Sequence, residues 1–344
     1  MISRTPLLSV FIPAFNAGRY IREALESVLD NGCADFEVVI VDDGSRDDTS
    51  GIVESIGHPA VRLVRNSRNL GIALTRRQGV ALLRGRYLAL LDADDIALPG
   101  RFEAQVARLE ITDGPDIIGG GVEIFGDQRG QLFFPASDAG VRAALLFHDC
   151  PLANPTVCMR IAPLREGRIG YSAAAGAACD YALWVDAMYA GLRFENLPRL
   201  LTRYRRHSEA MMRKSQDDWL AKACAVRRRV AQYFFPELTA EEQAALVDAL
   251  SHNLSGGPRW FNGIYALSRA WMLARAVLHV DTELMMSCME NNLMRLLGRA
   301  ARNGEADNEV LEMMTESSEH FARWRAARHG ALDARIVELF AGAR

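Results

Sequence analysis

LALLDADD, residues 88–95, starts as an apolar run and ends on acids. Leu88, Ala89, Leu90, Leu91 and Ala93 are apolar, yet Asp92, Asp94 and Asp95 crowd its last four positions. Ionised groups beside an apolar strand cost several kcal/mol each unless something compensates. A hard divalent cation is one compensator, because Mg²⁺ or Mn²⁺ takes one or two carboxylates together with waters and phosphate oxygens. An acidic helix-capping turn at a sheet edge is the other, and the triplet alone leaves both open.

The flanking sequence gives the stretch its place. LLSVFI (7–12), FEVVIV (36–41), VRLVRN (61–66) and YLALL (87–91) read as short buried strands. Helical patterns separate them. In NAGRYIREALESVLDNG, Asn16 is the expected N-cap, Ile21, Leu25 and Val28 share a face, and Gly32 is the stop. Two more helices are expected near 48–56 and over 72–84. Such alternation of helices with near-continuous apolar strands predicts an α/β fold, a parallel sheet covered on both faces. Ligands bind beyond the carboxyl ends of the strands in such sheets. Asp42, Asp43, Asp92, Asp94 and Asp95 all fall at such ends, which favours the site reading of the acids.

After about residue 212 the pattern is helical only. Asp217 and Asp218 open, and Arg227, Arg228 and Arg229 close, a helix over 215–235, matching the helix dipole at both ends. Thr239 with Glu242 forms a capping-box pattern. Further helices are expected over 260–279, 282–300, 308–328 and 331–341, with Met285, Met286, Met289, Met294, Met313 and Met314 as core filler. The expected division is an α/β domain over 1–211 and an all-helical region over 212–344.

Composition narrows the partners. The 344 residues suit roughly two domains; 49% are hydrophobic and 24% charged, so the chain is globular. Forty basic and forty-three acidic side chains leave a net charge of -3 with no basic stripe, which argues against nucleic acid as the main partner. Six scattered cysteines without a CxxC pair argue against a disulfide framework and for a reducing cytoplasm. The N-terminus, MISRTPLLSVFIPAFNAG, does not read as a signal peptide. No apolar run reaches the ~20 residues that span a bilayer. IYALSRAWMLARAVLHV (264–280), interrupted by Arg269 and Arg275, fits either a core helix with snorkelling arginines or a helix lying on the inner face of a membrane.

Further motifs stand in order around the acidic stretch: PAFN (13–16), VDDGS (41–45), NLG (69–71), the arginine of GIALTRRQG (71–79), LDADD (91–95), CDYALW (179–184) and YRRH (204–207). Together they resemble the family 2 inverting glycosyltransferases of the GT-A class, over roughly residues 7–210. Each motif alone is weak; the ordered set is not.

The resemblance implies a GT-A, Rossmann-like, mostly parallel sheet flanked by helices, and transfer of a sugar from a nucleotide-sugar. A UDP-sugar is the expected donor, and a glycan or lipid-linked glycan of cell-surface polysaccharide synthesis the expected acceptor. Mn²⁺ or Mg²⁺ is the expected cofactor. Pro13 and Phe15 lie in the loop after the first strand, where the Phe15 ring either stacks on a base or packs in the loop. Asp43 matches the aspartate that accepts from a base N–H, and Asp42 holds the loop. Arg76 stands at the family's arginine position, reaching base or diphosphate, while Arg77 beside it replaces a frequent Asn. Asp92 faces the ribose or the metal's water shell, Asp94 is the metal ligand, Asp95 shares that task, and His207 adds a metal or phosphate contact. Arg203, Arg205 and Arg206 offset diphosphate charge. Asp180 matches the catalytic base, although Cys179 replaces the acid usual before it. Trp184 either packs on the acceptor sugar or lies in the core. The helical C-terminal region is left for an acceptor, homo-oligomer or membrane-surface role.

Rivals fare less well. A Rossmann dehydrogenase wants GxGxxG after the first strand, where this chain has PAFNAG. A sugar nucleotidyltransferase needs neither CDYALW nor YRRH. A catalytically degenerate binding module would not need the acids at 92, 94 and 180.

Overall fold

The structure is a computed structural model and describes residues 5–32, 35–147, 150–207 and 216–251, with a few more positions between 262 and 274. These fall in two compact units, one running to Val226 and one starting at Arg227.

The first unit is built on one sheet. Strands β1 (Leu8–Ala14), β2 (Phe36–Asp42), β3 (Val61–Arg65) and β4 (Tyr87–Leu90) are joined by helices α1 (Ile21–Leu29), α2 (Thr49–Ile56) and α3 (Ile72–Leu82). These four strands pair in parallel in the order β3-β2-β1-β4. Every residue of β1 and β4 is buried, which is why their sequences are apolar without alternation.

Both faces are filled. Leu8, Val10 and Ile12 of β1 join Val38 and Ile40 of β2 and Tyr87, Ala89 and Leu91 around β4. This face packs against Ile21, Leu25 and Val28 of α1, and against Phe102, Val106 and Leu109 of α4 (Arg101–Leu109). Each such aliphatic side chain contributes about 1.5–3 kcal/mol on full burial. On the other face Phe11 meets α3, and Gly79 makes the approach possible. A Cβ there would lie 2.2 Å from the Phe11 ring.

Beyond β4 the sheet changes character. β8 (Cys158–Arg160) pairs antiparallel with β4, and β6 (Ile117–Gly126) antiparallel with β8. β9 (Phe194–Arg206) then runs parallel to β6, and the two-residue β5 (Ile96–Ala97) closes the edge antiparallel to β9. A short β7 (Gly130–Leu132) pairs with β6. Chain order cannot anticipate this antiparallel patch, because β8 and β9 return from far along the sequence. The remaining helices of this part are α5 (Asp138–Phe147), the short α6 (Ala162–Arg165) and α7 (Cys179–Tyr189).

Local departures are instructive. Asn16 is not the N-cap of α1, which begins at Ile21. It sits at φ 49°, and its side-chain oxygen accepts from the Arg46 N–H at 2.9 Å. A partner thirty residues away takes the group that a local cap would have used.

Beyond β9 the described elements are two helices: α8 (Gln216–Phe234) and, in the second unit, α9 (Ala240–Leu250). The expected capping box is present, Thr239 Oγ1 accepting from Glu242 N while the Glu242 carboxylate accepts from Thr239 N. Among the described residues no helix is long and apolar enough to cross a membrane. The helices expected over 282–300, 308–328 and 331–341, their methionines, and most of 264–280 lie outside the described residues.

Candidate active site

The acidic stretch turns sharply where β4 ends. The Asp95 N–H donates to the Asp92 carbonyl at 3.1 Å, and the chain passes into β5. Because Ile96 and Ala97 pair with Arg203 and Thr202, the YRRH segment lies alongside the acids. Asp94 Oδ2 and His207 Nε2 are 2.9 Å apart. Asp95 is 1% exposed, and one of its oxygens accepts from the Arg205 N–H at 2.8 Å. Its other oxygen and His207 Nδ1 are buried without a hydrogen-bond partner among the described residues. Burial first, then Asp94 and Asp92, holds the Asp95 carboxyl well above the usual carboxylate range. Asp92 is also raised by burial, with Arg76 opposing. Buried acids grouped this closely mark a functional site more often than a structural one.

Arg76 is the nearest counter-charge. It comes from the buried face of α3, is 4% exposed, and reaches Asp92 at 3.3 Å and Cys179 Sγ at 3.4 Å. Burial alone would lower its pKa; Cys179 and Asp92, with further groups around them, raise it instead. Arg77 is exposed, so the fold selects Arg76 of the adjacent pair.

Asp180 stands in the first turn of α7, after a 3-10 segment (Ala173–Ala178) kinked at Gly176, whose φ of 48° and ψ of -124° are reached readily only by glycine. Asp180 Oδ1 accepts from the Tyr181 N–H at 2.8 Å. The carboxylate is half-buried and within electrostatic reach of Arg76, Asp92, Cys179 and Tyr171. Thus residues 76, 92 and 180 come together, although far apart in sequence. Trp184 is fully buried; of its two readings, the core one holds.

Sequence reasoning missed Tyr171. It is buried, its hydroxyl has no hydrogen-bond partner among the described residues, and the Arg76 guanidinium lies 6.0 Å from its ring centroid. The small-residue run after it carries no polar signal that would have marked it.

A cavity of about 540 Å³ opens next to the ends of β1, β2 and β3, lined by Phe15, Ser45, Arg46, Arg65, Arg68 and Asn69 among others. Phe15 is 47% exposed, so its ring is available for stacking. Pro13 is buried within β1, paired to Val41. Asp42 and Asp43 both organise loops. Asp42 accepts from Ser45 N at 2.8 Å and from the Ser50 hydroxyl. Asp43 Oδ1 accepts from Asn66 Nδ2 at 2.8 Å and Leu70 N at 2.9 Å, and its Oδ2 from Gly71 N at 2.9 Å. The NLG segment is therefore pinned to the VDDGS loop by Asp43.

Against this geometry, residues 9–142 match the family model for Glycosyl transferase family 2. Over that stretch the chain is similar to the family 2 glycosyltransferases. An uncharacterized glycosyltransferase of Haemophilus influenzae is 27% identical over 246 residues, spanning 68% of this chain and 76% of that protein. Escherichia coli chondroitin synthase is 41% identical over 104 residues, which are 30% of this chain and 15% of the synthase. The solved structure of S. aureus TarS 1–349 in complex with UDP-GlcNAc has a TM-score of 0.57 to this chain at 18% identity, covering 87% of this chain and 92% of that one. That likeness is one of fold, and it bears out the expected GT-A arrangement of a mostly parallel sheet flanked by helices.

Proposed function

We propose that this glycosyltransferase moves a sugar from a nucleotide-sugar, with UDP-sugars foremost, to a glycan or lipid-linked acceptor with inversion at the anomeric carbon, using Mn²⁺ or Mg²⁺. The observation that carries this is the placement of separate groups at one end of the sheet: the Asp94–His207 pair at 2.9 Å, Asp92 held by Arg76, and the half-buried Asp180 at a helix start.

The donor set fits a divalent ion. Two neighbouring ligands of an octahedral ion at about 2.1 Å stand about 3.0 Å apart, close to the Asp94–His207 separation. No group of three or more His, Cys, Asp or Glu forms among the described residues, so waters and donor phosphates would complete the shell, as Mg²⁺ and Mn²⁺ sites on phosphates commonly have it. Such an ion supplies charge neutralisation for the departing diphosphate. Asp95, which accepts from the Arg205 N–H at 2.8 Å, ties the acidic turn to β9.

The chain's own residues do the rest. Phe15 stacks the base in the cavity, and Asp43 holds the loop that walls it. Arg76 aligns Asp92 and faces the diphosphate side. Asp180 takes the proton from the acceptor hydroxyl through Oδ2, since Oδ1 is engaged by Tyr181 N. The acceptor oxygen then bonds to the anomeric carbon while the bond from that carbon to the phosphate oxygen breaks, its electron pair leaving with the nucleotide. Attack from the face opposite the nucleotide inverts the anomer. For residues 212–344 we propose a role in acceptor use, with self-association or a peripheral membrane contact as further uses.

Asp94→Ala tests the metal part. It abolishes transfer and the Mn²⁺-dependent share of UDP affinity and keeps the fold; unchanged activity in EDTA overturns it. A thermal-shift panel of nucleotide-sugars with and without Mn²⁺ names the donor, since a ligand that binds only the native state raises its stability. UDP-GlcNAc, bound to TarS in its crystal structure, is the first to try.

A further inference from the structure

Three basic side chains of β9 were expected to offset diphosphate charge, but Arg205 is committed elsewhere. Its guanidinium lies between two aromatic faces, 4.3 Å from the Phe125 centroid and 4.8 Å from that of Tyr20. Its Nε donates to the Asp94 carbonyl at 2.8 Å, its Nη2 pairs with Glu23, and its backbone N–H holds Asp95 at 2.8 Å. The side chain is only 15% exposed. Arg203 also lies over the Phe125 ring, 4.4 Å from its centroid.

The column continues to the proposed metal ligand. The Tyr20 ring lies 4.9 Å from the His207 ring, tilted by 49°. Tyr20 directly precedes α1 and Glu23 is in its first turn, so this helix start is tied to the end of β9. Residues 203, 205 and 207 share one side of the strand because side chains alternate. The outcome is a stack of Arg203, Phe125, Arg205, Tyr20 and His207 that touches Asp94 by its carbonyl at one point and by its carboxylate at another.

We infer that Tyr20 and Arg205 are positioning residues: they fix the plane of the His207 imidazole and the backbone of Asp94, so that the two donors are held in ligating geometry before the ion arrives. This rests on the metal site proposed above. The physical basis is that His207 Nδ1, the atom through which a ligating histidine is ordinarily oriented by a hydrogen bond, has no such partner among the described residues. The stacked ring takes over that task. Arg suits the position better than Lys, since a planar guanidinium stacks on two rings while its edge still donates.

The test is Mn²⁺ binding followed by EPR titration, alone and with UDP, on the full chain and on Tyr20→Phe, Tyr20→Ala, Arg205→Lys and Asp94→Ala. Losing an orienting partner weakens metal affinity about 10–100-fold, so Tyr20→Ala and Arg205→Lys each weaken Mn²⁺ by about that factor. Tyr20→Phe keeps the ring and the native affinity. In turnover assays the Mn²⁺ concentration for half-activation rises by the same factor in Tyr20→Ala. A merely destabilised variant would instead lose active fraction without moving that concentration. Native Mn²⁺ affinity in both Tyr20→Ala and Arg205→Lys, with binding lost in Asp94→Ala, overturns the positioning role and leaves the metal site standing. Native affinity in Asp94→Ala, or no Mn²⁺ binding by the unmodified chain, overturns the metal site itself.

Discussion

Asp180→Asn separates chemistry from folding, and the structure sets the size of each. Asp180 Oδ1 accepts from the Tyr181 N–H at 2.8 Å, a role that the Asn carbonyl oxygen fills equally well. That constraint turns the amide nitrogen to where Oδ2 stood, so the variant presents a donor in place of a proton acceptor. The stability cost is limited to the lost attraction between a carboxylate and the start of α7, about 0.3–1 kcal/mol. A domain with an ordinary margin of about 5–15 kcal/mol stays more than about 99% folded after such a loss. A positioned general base contributes roughly 10²–10⁴-fold, about 2.7–5.5 kcal/mol of barrier. Any drop in rate of that size is therefore catalytic. The assay is release of nucleotide diphosphate with saturating donor, acceptor and Mn²⁺, with donor affinity and thermal unfolding measured on the same sample. Expected are near-native UDP-sugar and Mn²⁺ binding, an unfolding midpoint close to native, and a rate reduced by at least about 10²-fold. A rate within tenfold of native, or a product whose anomeric configuration by NMR is retained, refutes Asp180 as the base of a single displacement.

Phe15→Ala weakens UDP binding by about 1–3 kcal/mol, the worth of one stacked base, while Phe15→Trp preserves it; calorimetric titration with UDP checks both. Gly79→Ala places a Cβ 2.2 Å from the buried Phe11 ring, an overpacking cost of about 1–3 kcal/mol set against about 1 kcal/mol of helix propensity. A urea midpoint below native is expected, and a higher one would show that the ring moves away freely. For Glu37, burial works to raise the carboxyl, but the Ser9 hydroxyl and Arg84 together bring it below its ordinary value of 4.5. Its contribution to stability is therefore full above pH 4.5 and disappears as pH falls through the lower folded value. Urea unfolding from pH 6 down to pH 3 should show this acid-side slope, reduced in Glu37→Gln.

Much of this protein was legible in the chain because the decisive signals are local. Strands buried on both faces must be apolar throughout, so residues 7–12, 36–41 and 87–91 announced themselves, and carboxylates at their ends marked the side on which ligands would sit. The Thr239–Glu242 box was equally readable, since both partners lie within one helical turn. The motifs pointed to Arg76, Asp94, Asp180 and His207, and the fold brings Arg76 and Asp180 to Asp92 and His207 to Asp94.

What only the tertiary structure decided depends on partners distant in sequence. His207 meets Asp94 across 113 residues, Arg205 meets Glu23 across 182, and Arg76 meets Cys179 across 103. Periodicity cannot specify such meetings, because they follow from the register of β5 on β9 and the packing of α3 against the 3-10 segment that leads into α7. The same holds for competition between partners. Asn16 gave its side chain to Arg46 instead of capping α1, Arg205 went to two aromatic rings instead of a phosphate, and Trp184 went to the core instead of a sugar. A side chain's chemistry states what it is able to bind; which binding it makes depends on the groups that packing brings within reach.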